Sequence, residues 1–379
     1  MNKLKIFVFL ILIMAVGLIP HAPPVQANSE PFTRIDGEIR GYPYTLFRPD
    51  DWNGDLVLLV HGSVPWWFEI FGPVLAEQGF GVGFATFGED TGSGQMSSLK
   101  EMPILTRIVQ AQFTARFGAP ERTYLYAFSR GAHHSLKLLQ TSPVRYDGVL
   151  SACGGNAGVP AMNQYLISAR VLFDYFYPGV IPGTPLESPV STLTEFFDQI
   201  APLIAQAIID DPYPAEEMAR INIFNFEYSD LGELINAIIE SQMVLLSIVN
   251  GTIAELGESP FDNSSMVYTG SDDDEALNAG VARFSADQRA LQYVQVWGST
   301  TGDLGETPFL SLHNSLDGAI PEGYINDMFQ ALVDSTGSGD YYVRRVVDRP
   351  GHCNFTLPEL LGGLEDLVNW AETGVRPEP

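Results

Sequence analysis

The stretch from Tyr124 to His133 constrains this chain more than any other. An apolar run, Thr123 to Phe128, leads straight into Ser129, and Arg130-Gly131-Ala132 then opens a helical pattern through Ser135, Leu136, Leu138 and Leu139. The pattern reads as a strand, a turn with room only for small neighbours, and a helix. That geometry lifts the serine hydroxyl above the strand ends. It also aims the first N–H groups of the helix, and the positive end of its dipole, at whatever the hydroxyl attacks. Ser129 is therefore a candidate nucleophile. Ala127 stands where a G-x-S-x-G turn has its first glycine, and a methyl group is small enough for the turn to close. The plain alternative is a serine capping an ordinary helix, so the flanking chain has to decide.

Strands and helices alternate on both sides of this turn. Phe32 to Ile39 and Tyr42 to Phe47 read as two strands turned at Gly41. Asp55 to Val60 is the continuous apolar run of a strand buried on both faces, and it ends in His61-Gly62. A helix from Trp67 to Gln78, a strand from Val82 to Phe87, a loop from Gly88 to Gly94 and a helix from Met96 to Phe117 follow. Past Ser129 the helix runs to Gln140, and Tyr146 to Cys153 is another strand. The alternation resumes with a helix Ala286 to Trp297, a strand Pro308 to His313, a helix Tyr324 to Asp334, a strand Tyr341 to Val347 and a helix Pro358 to Glu372. This order predicts an α/β fold, a mostly parallel doubly wound sheet with helices on both faces.

Between the two alternating parts, 28–153 and 286–379, lies a helical, proline-studded segment, 154–285, with long apolar stretches at Leu193 to Ile209 and Leu231 to Leu256. An insertion after a strand of such a sheet sits over the strand C-terminal ends, where ligands bind, so it is expected to form a lid. The alternative is a separate helical domain that never touches the site. Its acidic run Asp272-Asp273-Asp274-Glu275 lacks the spacing of a calcium loop and reads as a solvated turn.

Residues 1–27 stand apart: Lys3 and Lys5, an apolar run from Ile6 to Ile19, and small residues at Val25 and Ala27. The run is about 14 residues against the roughly 20 that a bilayer span needs, so a cleaved signal peptide and export, to the periplasm or the outside of a bacterial cell, are expected. Asp and Glu number 46 against 20 Lys and Arg, a net charge of −26 that grows more negative once the leader is lost. Nucleic acid and anionic membrane surfaces are therefore poor partners. The two cysteines suit a disulfide in an exported protein better than a metal site, and the histidines show no ligand spacing, so no metal or organic cofactor is expected.

Three chemical groups fall at the C-terminal ends of three expected parallel strands, in the order Ser129, Asp317, His352. A hydroxyl needs an imidazole as base, and the imidazole needs a carboxylate to fix its tautomer and stabilise its cation. Asp348, four residues before His352, competes for the carboxylate role. His61 suits shaping a loop better than moving protons, and His133 and His134 suit the core or the cap of their helix. Arg130 could bind a substrate carboxylate, although an ion pair to an acid of the sheet or lid is the commoner use of such a residue. Trp66, Trp67 and Phe68 could wall an acyl pocket, and helix-to-sheet packing explains them equally well.

With these residues in place, the chain resembles the α/β-hydrolase superfamily over about 32–152 and 286–372. The resemblance rests on the order Ser, Asp, His, the His61-Gly62 segment, the pattern from His313 through Asp317 to Pro321, and Gly351-His352 after the last strand. It implies that Ser129 attacks an acyl carbon, His352 shuttles the proton and Asp317 orients His352. The oxyanion hole would then be formed by backbone N–H groups of Arg130 and of Ser63 or Val64. Cys353 directly after the histidine resembles tannases and feruloyl esterases, in which a cysteine before the serine bonds to it; Phe128 holds that place here. The resemblance implies a Cys153–Cys353 bridge instead, against a rival reading of two buried thiols. The expected function is that of a secreted serine hydrolase cleaving small or polymeric carboxylic esters. The alternatives are a peptidase or amidase like the prolyl-oligopeptidase branch, and a non-catalytic binding module on the same fold.

Overall fold

The computed structural model describes residues 31–61, 67–86, 98–142 and 144–379. The leader 1–27, Gly62, Ser63, Val64, Trp66 and the loop 88–94 lie outside them. The strands are β1 (Phe32–Ile39), β2 (Tyr42–Pro49), β3 (Asp55–Val60), β4 (Gly81–Ala85), β5 (Arg122–Phe128), β6 (Gly148–Ala152), β7 (Phe309–Leu316) and β8 (Tyr342–Pro350). They form one sheet in the order β1-β2-β4-β3-β5-β6-β7-β8. β1 pairs antiparallel with β2 and β2 with β4, and every later pairing is parallel. The crossovers are α1 (Phe68–Glu77), α2 (Glu101–Phe117), α3 (Gly131–Thr141), α10 (Gln288–Gly298) and α11 (Glu322–Thr336), and α12 (Leu357–Thr373) follows the last strand. The insertion supplies α4 (Val159–Phe176), α5 (Leu193–Glu195), α6 (Ala201–Asp210), α7 (Tyr213–Ala219), α8 (Leu231–Leu256) and α9 (Asp274–Gly280).

The central strands are apolar on both faces because both faces are covered. Leu56, Leu58 and Val60 of β3 pack with α2, α3 and α11, whereas Val57 and Leu59 pack with α1 and α12. This is the two-residue alternation of a pleated strand applied to a run with no polar interruption. Helix α2 begins at Glu101, where Ser98 Oγ accepts the Glu101 N–H at 3.3 Å and Pro103, which has no N–H to give, fits a first turn; the expected start at Met96 lies outside the described residues.

β7 and β8 run further than their apolar patterns suggest. They keep pairing past Asn314, through a register shift between Asn314 and Leu316, until the Gly351 N–H donates to the Leu316 carbonyl at 2.7 Å. Polar residues can extend the ladder here because its hydrogen bonds are made by backbone. The result is a two-stranded projection that carries Asp317 and His352 to its tip.

The core of the insertion is continuous with the core under the sheet. Helix α8 lies directly on the tip of β7, since a Cβ added at Gly318 would meet the Ala237 carbonyl oxygen at 2.0 Å, and the Tyr165 hydroxyl of α4 donates to the Gly318 carbonyl at 2.6 Å. The acidic run caps α9: Asp273 accepts the Ala276 N–H, and Asp272 pairs with Arg220 at 2.8 Å. Among the described residues no helix is long and apolar enough to cross a membrane. Gly318→Ala is expected to push α8 off the strand tip and to cost roughly 1–3 kcal/mol, as overpacking does. Thermal unfolding of that variant beside Gly323→Ala, where an added Cβ meets nothing within 4 Å, checks this.

Candidate active site

Ser129 follows β5 with φ 53°, in the left-handed region that non-glycine residues avoid. Its own N–H donates to the Ala152 carbonyl at 3.0 Å, so the adjacent strand holds the turn in place. Gly131 is obligatory at the start of α3, because a Cβ there would lie 2.1 Å from the Val60 carbonyl oxygen. Ala127, by contrast, sits inside the ladder between Val60 and Ser151 with its methyl buried in the core, which is why the missing first glycine does no harm.

Three side chains from three strand ends form one line of hydrogen bonds. Ser129 Oγ lies 2.9 Å from His352 Nε2, and His352 Nδ1 lies 2.8 Å from Asp317 Oδ2. The imidazole side chain is 13% exposed and the carboxylate fully covered. Burial alone would push Asp317 toward its neutral form, but the His352 and His313 imidazoles hold it well below the usual carboxylate range. Burial lowers the His352 pKa, and the Asp317 carboxylate more than offsets it, so the net shift is upward. Asp348 is no rival in this geometry: its carboxylate accepts from Ser315 Oγ at 3.2 Å, while Asp317 holds the imidazole.

Asp317 accepts three hydrogen bonds: Oδ1 takes the N–H groups of Ala319 and Ile320 at 2.9 and 2.8 Å, and Oδ2 takes His352, with His313 Nε2 also 3.3 Å from Oδ2. The Asn326 amide donates to His313 Nδ1 at 3.1 Å, which puts the proton of a neutral His313 on Nε2, facing the Ile320 carbonyl and Asp317. Asn326 in turn accepts from Asn156, which also donates to Ser311 and accepts from Ser151. Asn326, Asn156, Ser311 and Ser151 stand in no catalytic motif. The only sequence signal is that polar residues punctuate otherwise apolar strands and helices.

The histidine loop is held from several sides. Cys353 is bonded to Cys153, with Cα atoms 5.1 Å apart, and both residues have positive φ, 55° and 50°. Cys153 follows Ala152, the ladder partner of Phe128, so the bridge reaches the loop from the strand next to the nucleophile. Asn314 donates its amide to the Asn354 carbonyl at 3.0 Å and accepts the Asn354 N–H at 2.9 Å. Cys153, His352 and Cys353 form a cluster of metal-ligating type, but its two sulfurs are bonded to each other and offer no thiolate.

Arg130 starts α3 with its side chain buried beside His133 and His134, whose imidazoles are kept neutral by burial and, secondarily, by its charge. His61 is buried at the end of β3 with Nε2 3.1 Å from the Ala85 carbonyl, and burial pushes its pKa down to about 4. Its ring packs edge-to-face with Phe68. Trp67 packs edge-on against Phe128, ring centres 4.3 Å apart, and against Phe68 and Phe71.

One contributor escapes the sequence patterns altogether. Glu240 lies in the apolar middle of α8, 6% exposed, and accepts the backbone N–H of His352 at 3.1 Å and that of Gly318 at 3.0 Å. Burial, followed by the charge of Asp317, pushes its pKa up to about 7. An acid in the apolar middle of the helix, away from its ends, was its only trace.

The disulfide closes a separation of 200 residues, so the double variant Cys153→Ala/Cys353→Ala is expected to lose about 2–5 kcal/mol of stability. Thermal unfolding with and without reductant checks this. Asn326→Ala removes the donor to His313 and the acceptor for Asn156, and is expected to cost about 1–3 kcal/mol by denaturant unfolding.

No family model matches the chain. The o-phthalyl amidase of Xanthobacter agilis is 25% identical over 421 aligned residues, covering 94% of this chain and 91% of that protein. Among solved structures, an esterase from Aspergillus oryzae matches with a TM-score of 0.54 at 14% identity, over 91% of this chain and 81% of that one. Feruloyl esterase B from the same organism matches with a TM-score of 0.51 at 15% identity, again over 91% and 81%. Strand order, strand directions and these likenesses agree, and the chain has the α/β-hydrolase fold.

Proposed function

We propose that the protein is an exported serine hydrolase that cleaves carboxylic esters through an acyl-enzyme. The observation that carries this reading is the unbroken line from Ser129 Oγ through His352 to Asp317. His352 Nε2 takes the hydroxyl proton as Ser129 Oγ attacks the acyl carbon, and Asp317 stabilises the imidazolium that forms. The developing oxyanion faces the N-terminus of α3 and the Arg130 N–H, with Ser63 or Val64 as the second donor. His352 then protonates the departing alcohol, and a water activated by the same imidazole releases the acid. The apolar insertion suits a hydrophobic or bulky substrate. Export is supported by the leader pattern of 1–27 and by the disulfide, a bond that persists in oxidising compartments.

Amide cleavage is the second reading. The same groups serve it, with an amine as leaving group, and the likeness over almost the whole chain to an o-phthalyl amidase favours it. A panel of nitrophenyl esters, an o-phthalyl amide and a prolyl peptide amide, assayed on one preparation, separates the readings. Ester turnover alone supports the first, and preferential amide turnover replaces it with the second.

Ser129→Ala is expected to abolish fluorophosphonate labelling and to cut turnover by at least ~10³, and Asp317→Asn by about 10⁴, whereas Asp348→Asn stays within about twofold of wild type. Loss of activity in Asp348→Asn with retention in Asp317→Asn would reverse the assignment of the acid. Because His352 must be neutral to accept the proton and its pKa is raised, kcat/KM is expected to rise with pH through a midpoint above the ordinary imidazole value of 6.5.

A further inference from the structure

Glu240 occupies a position that ordinary packing of a helix against a sheet does not require. One carboxylate oxygen accepts the N–H of His352 and the other that of Gly318, the residue directly after Asp317. The two strand tips that carry base and acid are thus held to each other by a single side chain of the insertion. Helix α8 cannot drift from this arrangement without breaking both bonds, since Gly318 already lies against Ala237 and Gly351 against the Glu240 carboxylate. A leucine at this place would seal the contact equally well, but it would leave two backbone donors unpaired in a covered site.

We propose that Glu240 is a positioning residue for hydrolysis: its carboxylate sets the spacing of the His352 and Asp317 loops and places a second acid beside the imidazole. This rests on the reading of Ser129 as nucleophile. The groups facing Glu240 are Asp317 from the β7 tip, His352 from the β8 tip and the Tyr165 phenol from α4, with His313 behind Asp317. Both carboxylates bear on the one imidazole, and both favour its cation. The second acid therefore adds to the stabilisation of imidazolium in the step where Ser129 gives up its proton. Burial first, and the charge of Asp317 second, push the Glu240 carboxyl up to about 7, and protonation leaves one of its oxygens a poor acceptor. Lowering the pH through neutral therefore loosens the clamp.

The test compares wild type, Glu240→Gln and Glu240→Asp by the rate of fluorophosphonate labelling of Ser129 against pH, together with the NMR titration of the His352 imidazole. Gln keeps one acceptor but turns its NH₂ against the second backbone donor, and it carries no charge. E240Q is expected to label at least about tenfold more slowly, with the His352 midpoint moved down by about half a unit or more in both readouts. E240D keeps the charge on a shorter stem, so it is expected to label slowly with a midpoint near that of wild type. A wild-type midpoint in E240Q, or a wild-type labelling rate in E240D, overturns the proposal, and either variant decides alone if the other does not fold. Wild-type protein that never labels at Ser129 overturns the hydrolase reading instead. The imidazole titration then still decides whether the charge of Glu240 acts on His352.

Discussion

A carboxylate sealed from water at the rim of the sheet is the interaction on which the site depends. Asp317 is only 1% exposed, and an ion so placed survives only when its lone pairs are filled and positive charge lies near. Two backbone N–H groups fill one oxygen, and two imidazoles meet the other. Everything behind it follows from keeping those donors aimed. Asn326 fixes the tautomer of His313, and Asn156 fixes Asn326, through bonds that end on two buried serines of adjacent strands. A network of this kind is stabilising only when complete, because each unmet group in a low dielectric costs more than a met one contributes.

The scaffold meets this demand with strain placed at strand ends. Ser129, Cys153 and Cys353 all adopt positive φ without being glycine, each where the chain leaves or returns to the sheet beside the site. Such conformations cost of order 1 kcal/mol or more apiece and persist only where their surroundings over-determine them. Here the surroundings are the Ser129 bond to Ala152, the disulfide, and the paired bonds between Asn314 and Asn354. The cap helices add to the same restraint. Tyr165 and Glu240 both bind the backbone of Gly318, so the insertion is fastened to the acid loop.

The parts legible from residue order were those whose chemistry is local. A strand with no polar interruption must be covered twice, a serine between a strand and a helix must stand above the sheet, and an aspartate or histidine directly after a strand must share that edge. Ser129, Asp317 and His352 were readable for this reason, as was the mostly parallel sheet that carries them. The length of β7 and β8 was not, since backbone pairing carried them past their apolar residues. Glu240 was not either: nothing in the local pattern of α8 says which residue will face a strand tip formed by chain more than seventy positions further on. Its bonds to Gly318 and His352 span 78 and 112 residues.

What the amino-acid order determined alone was the alternation, the burial of both sheet faces and the three reactive groups at strand ends, because period, propensity and turn chemistry act over a few residues. What only the tertiary structure decided was which acid meets the imidazole, where the disulfide enters the loop, and that a second carboxylate reaches the site from the insertion. Those outcomes depend on distances of a few ångströms between segments that the chain itself keeps far apart, and they are fixed only once the packed core leaves each segment one place to stand.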